Sequence, residues 1–321
     1  MEEPKKETNN DEGQEVPATG FENKEPVPRI SPLLAAFIGL AGGFILYQIV
    51  GGFLALLVFN FDVKNASVNA LRLMTMAGQI LFLLLPALIF TKYIYRDVTK
   101  ILRVKIPSLA ELVLFTCGIV LLTLLLQNYL YIQNYYITEF AKYNGTVKSI
   151  KSFIDSMNDY VEKSYGDLLA VHNPFDAFLV VFVVSVIPAL CEETLFRGFI
   201  QRSLEYKLSP MVSSLITAIF FGLYHFNIYG LVALIGLGFF FGYANYKSGS
   251  IFVPMFLHFL NNFSAVAIYL TVGNEDLINS AATSNIDIRM SLIGMVVLVV
   301  LFVAYMVFIN NYYKSQKQLR R

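Results

Sequence analysis

Two neighbouring carboxylates and a guanidinium, Glu192, Glu193 and Arg197, interrupt an apolar run that begins at Phe178. A charge at bilayer depth costs at least about 2.5–3.5 kcal/mol on insertion scales. A chain keeps such groups where they pair with one another or line a wet cavity that does chemistry. Two more polar clusters follow in apolar surroundings: Phe221-Gly-Leu-Tyr-His225 and His258-Phe-Leu-Asn-Asn262. These hold two of the three histidines in the chain. The third, His172, lies before Asn173-Pro174 outside the apolar runs and reads as an exposed surface residue.

Spacing narrows the roles. Residues four apart share a helix face. Glu193 and Arg197 are such a pair, acid before base, and read as a structural ion pair that lowers the cost of burying both charges. Glu192 points about 100° away, and its i+4 position is Phe196, so it has no partner on its own helix. It suits a general base or, failing that, a hydrogen-bonded strut to another helix. His258 and Asn262 also share a face, and donate either to an oxyanion or to a clamp between helices. His225 stands four residues after Phe221. A carboxylate, two imidazoles and an amide meeting in an apolar bundle can activate water and receive a tetrahedral intermediate. That is amide hydrolysis without a covalent enzyme intermediate. Neither Ser185 nor Cys191 has an evident base beside it in sequence.

The elements that must position these groups are helices. Of 321 residues 56% are hydrophobic and 15% charged, against about 25% charged in soluble domains. With apolar runs of bilayer length, the expected fold class is all-α, a polytopic membrane bundle of about eight spans. They run from about Leu33 to Phe59, Leu71 to Ile94, Leu109 to Ile132, from near Phe175 through the carboxylates, Met211 to Phe226, Tyr229 to Tyr246, Ile251 to Val272 and Met290 to Tyr312. The organisation is a disordered cytoplasmic tail (1–29), a three-helix part (30–132), an amphipathic extracytoplasmic segment (133–174), a catalytic helix core (175–272) and a last span with a basic tail (273–321). The first tail carries eight acids against four bases. In the amphipathic segment Ile150, Phe153, Ile154, Met157 and Val161 recur at helical spacing, as a surface helix or a lid over a substrate. Every second connection is basic: Lys92 to Lys105, Arg197 to Lys207, Lys247, and Lys314 to Arg321. By the positive-inside rule both termini are cytoplasmic, in a bacterial inner membrane. Nothing points to nucleic acid. Cys117 and Cys191 read as free, buried thiols.

The order Glu192-Glu193-Thr-Leu-Phe-Arg197, Phe221-Gly-Leu-Tyr-His225, His258-Phe-Leu-Asn-Asn262 resembles the CAAX-prenyl-endopeptidase and bacteriocin-processing family (CPBP, also called Abi). The resemblance covers about Phe175 to Val272 and implies an intramembrane endopeptidase, with a peptide or prenylated protein as substrate and membrane lipid around it. It implies Glu192 as the water-activating base with His225, His258 with Asn262 at the oxyanion, and Glu193, Arg197 and Phe221 beside them. No cofactor is favoured; zinc on Glu192, His225 and His258 is the alternative. A catalytically silent scaffold or immunity protein and a proton-coupled transporter are the competing classes.

Straight helices raise one difficulty. Glu192 then lies toward the basic loops and His225 at the far end of a short span, about 10 Å apart in depth. A kink at Pro188 is the expected remedy, with the site opening to the cytoplasmic side.

Overall fold

In a bilayer, long apolar runs satisfy their backbone polar groups only as helices or closed barrels. Helices are what the described residues form, with no strand among them. The computed structural model describes residues 26–272 and 287–319. The proposed tail, up to residue 25, and the stretch with Glu275 and Asp276 between the last two spans lie outside the described residues.

The principal helices are α1 (Pro32–Val58), α2 (Val68–Tyr95), the single turn α3 (Val98–Ile101), α4 (Leu109–Tyr143), α5 (Gly145–Leu169), α6 (Pro174–Glu205), α7 (Pro210–Tyr224), α8 (Leu231–Ser248), α9 (Phe252–Val272) and α10 (Ile288–Leu319). Six of them, α1, α2, α4, α6, α9 and α10, are long and apolar enough to cross a membrane. The chain is an integral membrane protein built as a polytopic helical bundle. The other two anticipated spans are helical but short, α7 with 15 residues and α8 with 18. Their starts and stops are written locally. Ser67, Ser108, Asn144, Asn173 and Ser209 cap helix N-termini through their side chains, each satisfying an otherwise orphaned donor. Gly249 ends α8 at φ +61°, a conformation that favours glycine.

The segment after residue 132 is not loop. Helix α4 continues to Tyr143 and α5 follows at once, packed against α4 and α2. At Pro188, α6 continues through a π-helical run, Phe182–Val186, placed just before the proline. Proline brings no donor and crowds the carbonyl four residues back, and a widened turn relieves both. A second π-helical run, Thr194–Gln201, follows the carboxylates.

Two large apolar cores result among the described residues, with a small third cluster of Leu169, Val180 and Val266. One joins α1, α2, α6 and α7 around Phe196, Phe199, Ile200 and Tyr95. The other joins α4, α8, α9 and α10 around Phe115, Phe240, Phe241 and Leu257. Where α1 crosses α6 the backbones approach closely at Gly39: a Cβ there would stand 2.7 Å from Ile200 Cγ1 and 3.0 Å from the Phe199 ring. At Gly42 the space is open. Gly39→Val should therefore lower stability by about 1–3 kcal/mol, while Gly42→Val leaves the thermal midpoint of the detergent-solubilised protein nearly unchanged.

Candidate active site

Glu193 and Arg197 are fully buried and His258 nearly so. Arg197 Nη1 donates to Glu193 Oε1 at 2.8 Å, and His258 Nδ1 meets the same oxygen at 2.8 Å. The second guanidinium nitrogen donates to Gly238 O at 3.0 Å. The guanidinium lies 4.5 Å from the Phe221 ring centroid and 5.3 Å from that of Phe241. Groups on α6, α8 and α9 thus meet at one point. A carboxylate oxygen only accepts, so His258 carries a proton on Nδ1. Its ring is fixed by stacking on Phe241, centroids 5.4 Å apart, and by the edge contact with Phe221.

Glu192 and His225 face the cavity instead, with side chains 13% and 24% exposed. His225 Nδ1 lies 2.7 Å from Phe221 O. A carbonyl cannot donate, so this nitrogen holds a proton, and in the neutral ring Nε2 presents a lone pair. That lone pair is 3.9 Å from Glu192 Oε2, which has no hydrogen-bond partner among the described residues. Two acceptors face each other across a gap too wide for a direct bond and wide enough for one water, about 2.8 Å from each.

The depth difficulty disappears because α6 is longer than the sequence suggested. It continues to Glu205, placing Glu192 roughly 20 Å from the α6–α7 turn at 1.5 Å per residue. His225, just past the end of α7, stands at a similar distance on the returning helix. On α9, Asn262 Nδ2 donates to Val184 O at 3.0 Å, inside the π-helical run of α6, and its Oδ1 accepts from Asn261. One N–H of Asn262 is therefore held by a clamp and one remains. Among the described residues no three His, Cys, Asp or Glu side chains gather as a metal-holding group. Cys191 is buried and free as expected, but Cys117 is free and exposed, since α4 turns that face outward. His172 is exposed.

These groups line a cavity of about 520 Å³. Phe196, Phe221, Leu237 and Phe241 make its walls apolar, and Leu168 and Leu169 from the end of α5 close one end of the lining. The cavity therefore lies toward the α5 end of the bundle and takes no lining from the basic loops. A cytoplasmic opening, expected from the alternation of basic connections, is not where the lining points.

Residues 174–264 match the family model for type II CAAX prenyl endopeptidase, Rce1-like. A curated relative from Bacillus subtilis (strain 168), named "Putative membrane peptidase YdiL", is 29% identical over 92 residues, which are 29% of this chain and 38% of that protein. The chain thus matches well under half the length of this relative. No solved structure matches the chain significantly. The Rce1-like segment holds Glu192, Glu193, Arg197, Phe221, His225, His258 and Asn262. It does not hold the rest of the cavity lining, where Tyr47, Gln48, Thr75, Gln79 and Leu83 of α1 and α2 line the same cavity as Glu192, His225 and His258. Spacing arguments passed over these residues. The available signal was a glutamine in each of two strongly apolar spans.

The turn carrying His225 is anchored from outside the Rce1-like segment. Gln48 Nε2 on α1 donates to Tyr224 O at 2.9 Å. Gln133 Nε2 on α4 donates to Tyr229 O at 2.9 Å, and Tyr229 Oη donates to Asp155 Oδ1 on α5 at 2.6 Å. Partial burial works to raise the Asp155 pKa, but hydrogen bonds from Lys151 and Tyr229 outweigh it and hold the carboxyl below its ordinary range. Burial, reinforced by Asp155, holds the Tyr229 phenol above its ordinary range.

Two outcomes follow from this geometry. Arg197→Met strands Glu193 in the core and should cost about 3–5 kcal/mol. The double variant Glu193→Leu with Arg197→Met should recover much of that loss in thermal unfolding. The depressed Asp155 pKa gives a contribution present above the ordinary aspartate value, about 4, and lost as pH falls through the lower folded value. Hydrogen exchange of α5, corrected for its intrinsic pH dependence, should therefore be flat from pH 8 to 5 and rise only below about pH 4. Asp155→Asn should remove that step.

Proposed function

We propose that the protein is an intramembrane endopeptidase using a water held between Glu192 and His225. The observation that carries this reading is the 3.9 Å separation of Glu192 Oε2 and His225 Nε2, on two residues that line the cavity. Only a donor of two protons satisfies both, and a water so held turns its oxygen lone pairs into the cavity. Glu192 takes a proton as the water oxygen attacks the scissile carbonyl. The resulting oxyanion is received by the remaining N–H of Asn262 and by His258 Nε2 in the imidazolium form, which takes its second proton from solvent before the substrate binds and holds its charge against Glu193. Collapse of the tetrahedral intermediate breaks the C–N bond, and the proton on Glu192 passes to the leaving amine. Peptide and water become a carboxylic acid and an amine, and the acid's proton then passes to the amine to leave carboxylate and ammonium.

The Rce1-like match supports a peptide or protein as substrate, with a prenylated C-terminus as the first chemistry to try. An apolar cavity within a bilayer suits a segment delivered from the lipid. Alternating basic connections support a bacterial inner membrane with both termini cytoplasmic, and the cavity then lies in the outer half of the bundle.

The test compares protein termini in the membrane proteome of cells producing the wild type and Glu192→Gln at equal levels. A defined set of new termini should vanish in the variant, and the purified variant should cleave the matching peptides about 10²–10⁴-fold more slowly. Identical termini in both cells would leave the silent scaffold or transporter readings in place and sink this one.

A further inference from the structure

Gln79 lies on α2, far in sequence from the Rce1-like segment, and is 6% exposed. Its side-chain oxygen Oε1 has no hydrogen-bond partner among the described residues, and Gln79 lines the same cavity as Glu192, His225 and His258. A buried amide carbonyl without a donor is costly. Its neighbours account for themselves: Thr75 Oγ1 donates back to Leu71 O at 2.9 Å, and Gln48 Nε2 is committed to Tyr224 O. Among the described residues of this wall, Gln79 is the one that offers a buried, unpaired acceptor.

A peptide entering an apolar cavity brings the complementary problem. Its backbone N–H groups lose water, and each needs an acceptor. The catalytic wall serves the scissile carbonyl with donors and the water with acceptors, leaving the flanking N–H groups to the rest of the lining. We propose that Gln79 Oε1 accepts a backbone N–H of the substrate close to the scissile bond, so that α2 fixes the peptide's register against Glu192. This rests on the endopeptidase reading above. It identifies the substrate class more closely: an extended segment with a free amide N–H at one set position. Proline, which has no N–H, is excluded there.

The experiment uses the full chain in lipid nanodiscs and a synthetic peptide copying the strongest Glu192-dependent terminus, together with a series carrying a single backbone N-methyl group at successive positions. With the wild type, one N-methyl position should lower kcat/KM about tenfold, the worth of one hydrogen bond. Gln79→Met should lower kcat/KM about tenfold on the unmethylated peptide and show no further loss on that methylated one. Gln79→Glu, which keeps an acceptor, should restore most of the rate. Gln79→Met replaces an unpaired buried carbonyl with apolar atoms, so its thermal midpoint should be unchanged or higher. Equal N-methyl penalties in wild type and Gln79→Met, or full activity of Gln79→Met, overturn the assignment while leaving the endopeptidase intact. A proteome with no Glu192-dependent termini overturns the endopeptidase reading and this assignment with it.

Discussion

One oxygen, Glu193 Oε1, accepts from Arg197 and from His258 in the interior of an apolar bundle. Desolvating ions costs several kcal/mol each, and the attraction between them offsets that only when geometry and further hydrogen bonds are good. Here the pair comes from consecutive turns of α6, so its geometry is set by the helix itself. The carbonyl of Gly238 and the faces of Phe221 and Phe241 also surround the guanidinium, whose Nε has no hydrogen-bond partner among the described residues. Because Gly238 is on α8 and His258 on α9, this network ties the two apolar cores together across their seam. A Cβ at Gly238 would press on Phe221, Ala218 and the guanidinium at 3.0–3.2 Å, so glycine lets α8 come close enough to supply its carbonyl.

The same network divides labour between adjacent carboxylates. Glu193 commits one oxygen to structure and fixes the proton on His258 Nδ1. Each carboxylate keeps one oxygen without a partner among the described residues, but only Glu192, one residue earlier and turned by a helical step, lines the cavity. Arg197 stands four residues after Glu193 and five after Glu192, so only Glu193 holds the i,i+4 register for the ion pair. Phe221 serves both sides, since its carbonyl orients His225 while its ring packs on Arg197 and His258.

Around this centre the rest of the chain acts as a mould. Helices α1 and α2 complete the cavity, α5 covers one end, and contacts from Gln48, Gln133 and Asp155 hold the turn that carries His225. That turn is short and includes a left-handed residue, Phe226 at φ +51°, so an imidazole placed on it needs support from outside. Three helices that the Rce1-like match does not cover supply it.

Much of this was legible from residue order. Hydrophobic run length determined the helical class, and the i,i+4 rule paired Glu193 with Arg197 and left Glu192 unpaired, because both properties belong to a single helix. What local periodicity could not give was depth. The end of α6 at Glu205 is hidden by polar residues that the fold buries, among them Arg197, Gln201 and Ser203, so hydropathy stopped the span too early and set His225 apart from Glu192. Nor could it join Glu193 to His258, commit one N–H of Asn262 to Val184, bring Leu168 and Leu169 of α5 to the cavity, or set Gln79 in the same lining as Glu192 and His225. Those are contacts between helices far apart in sequence, and only the packing of two cores against one seam decides them.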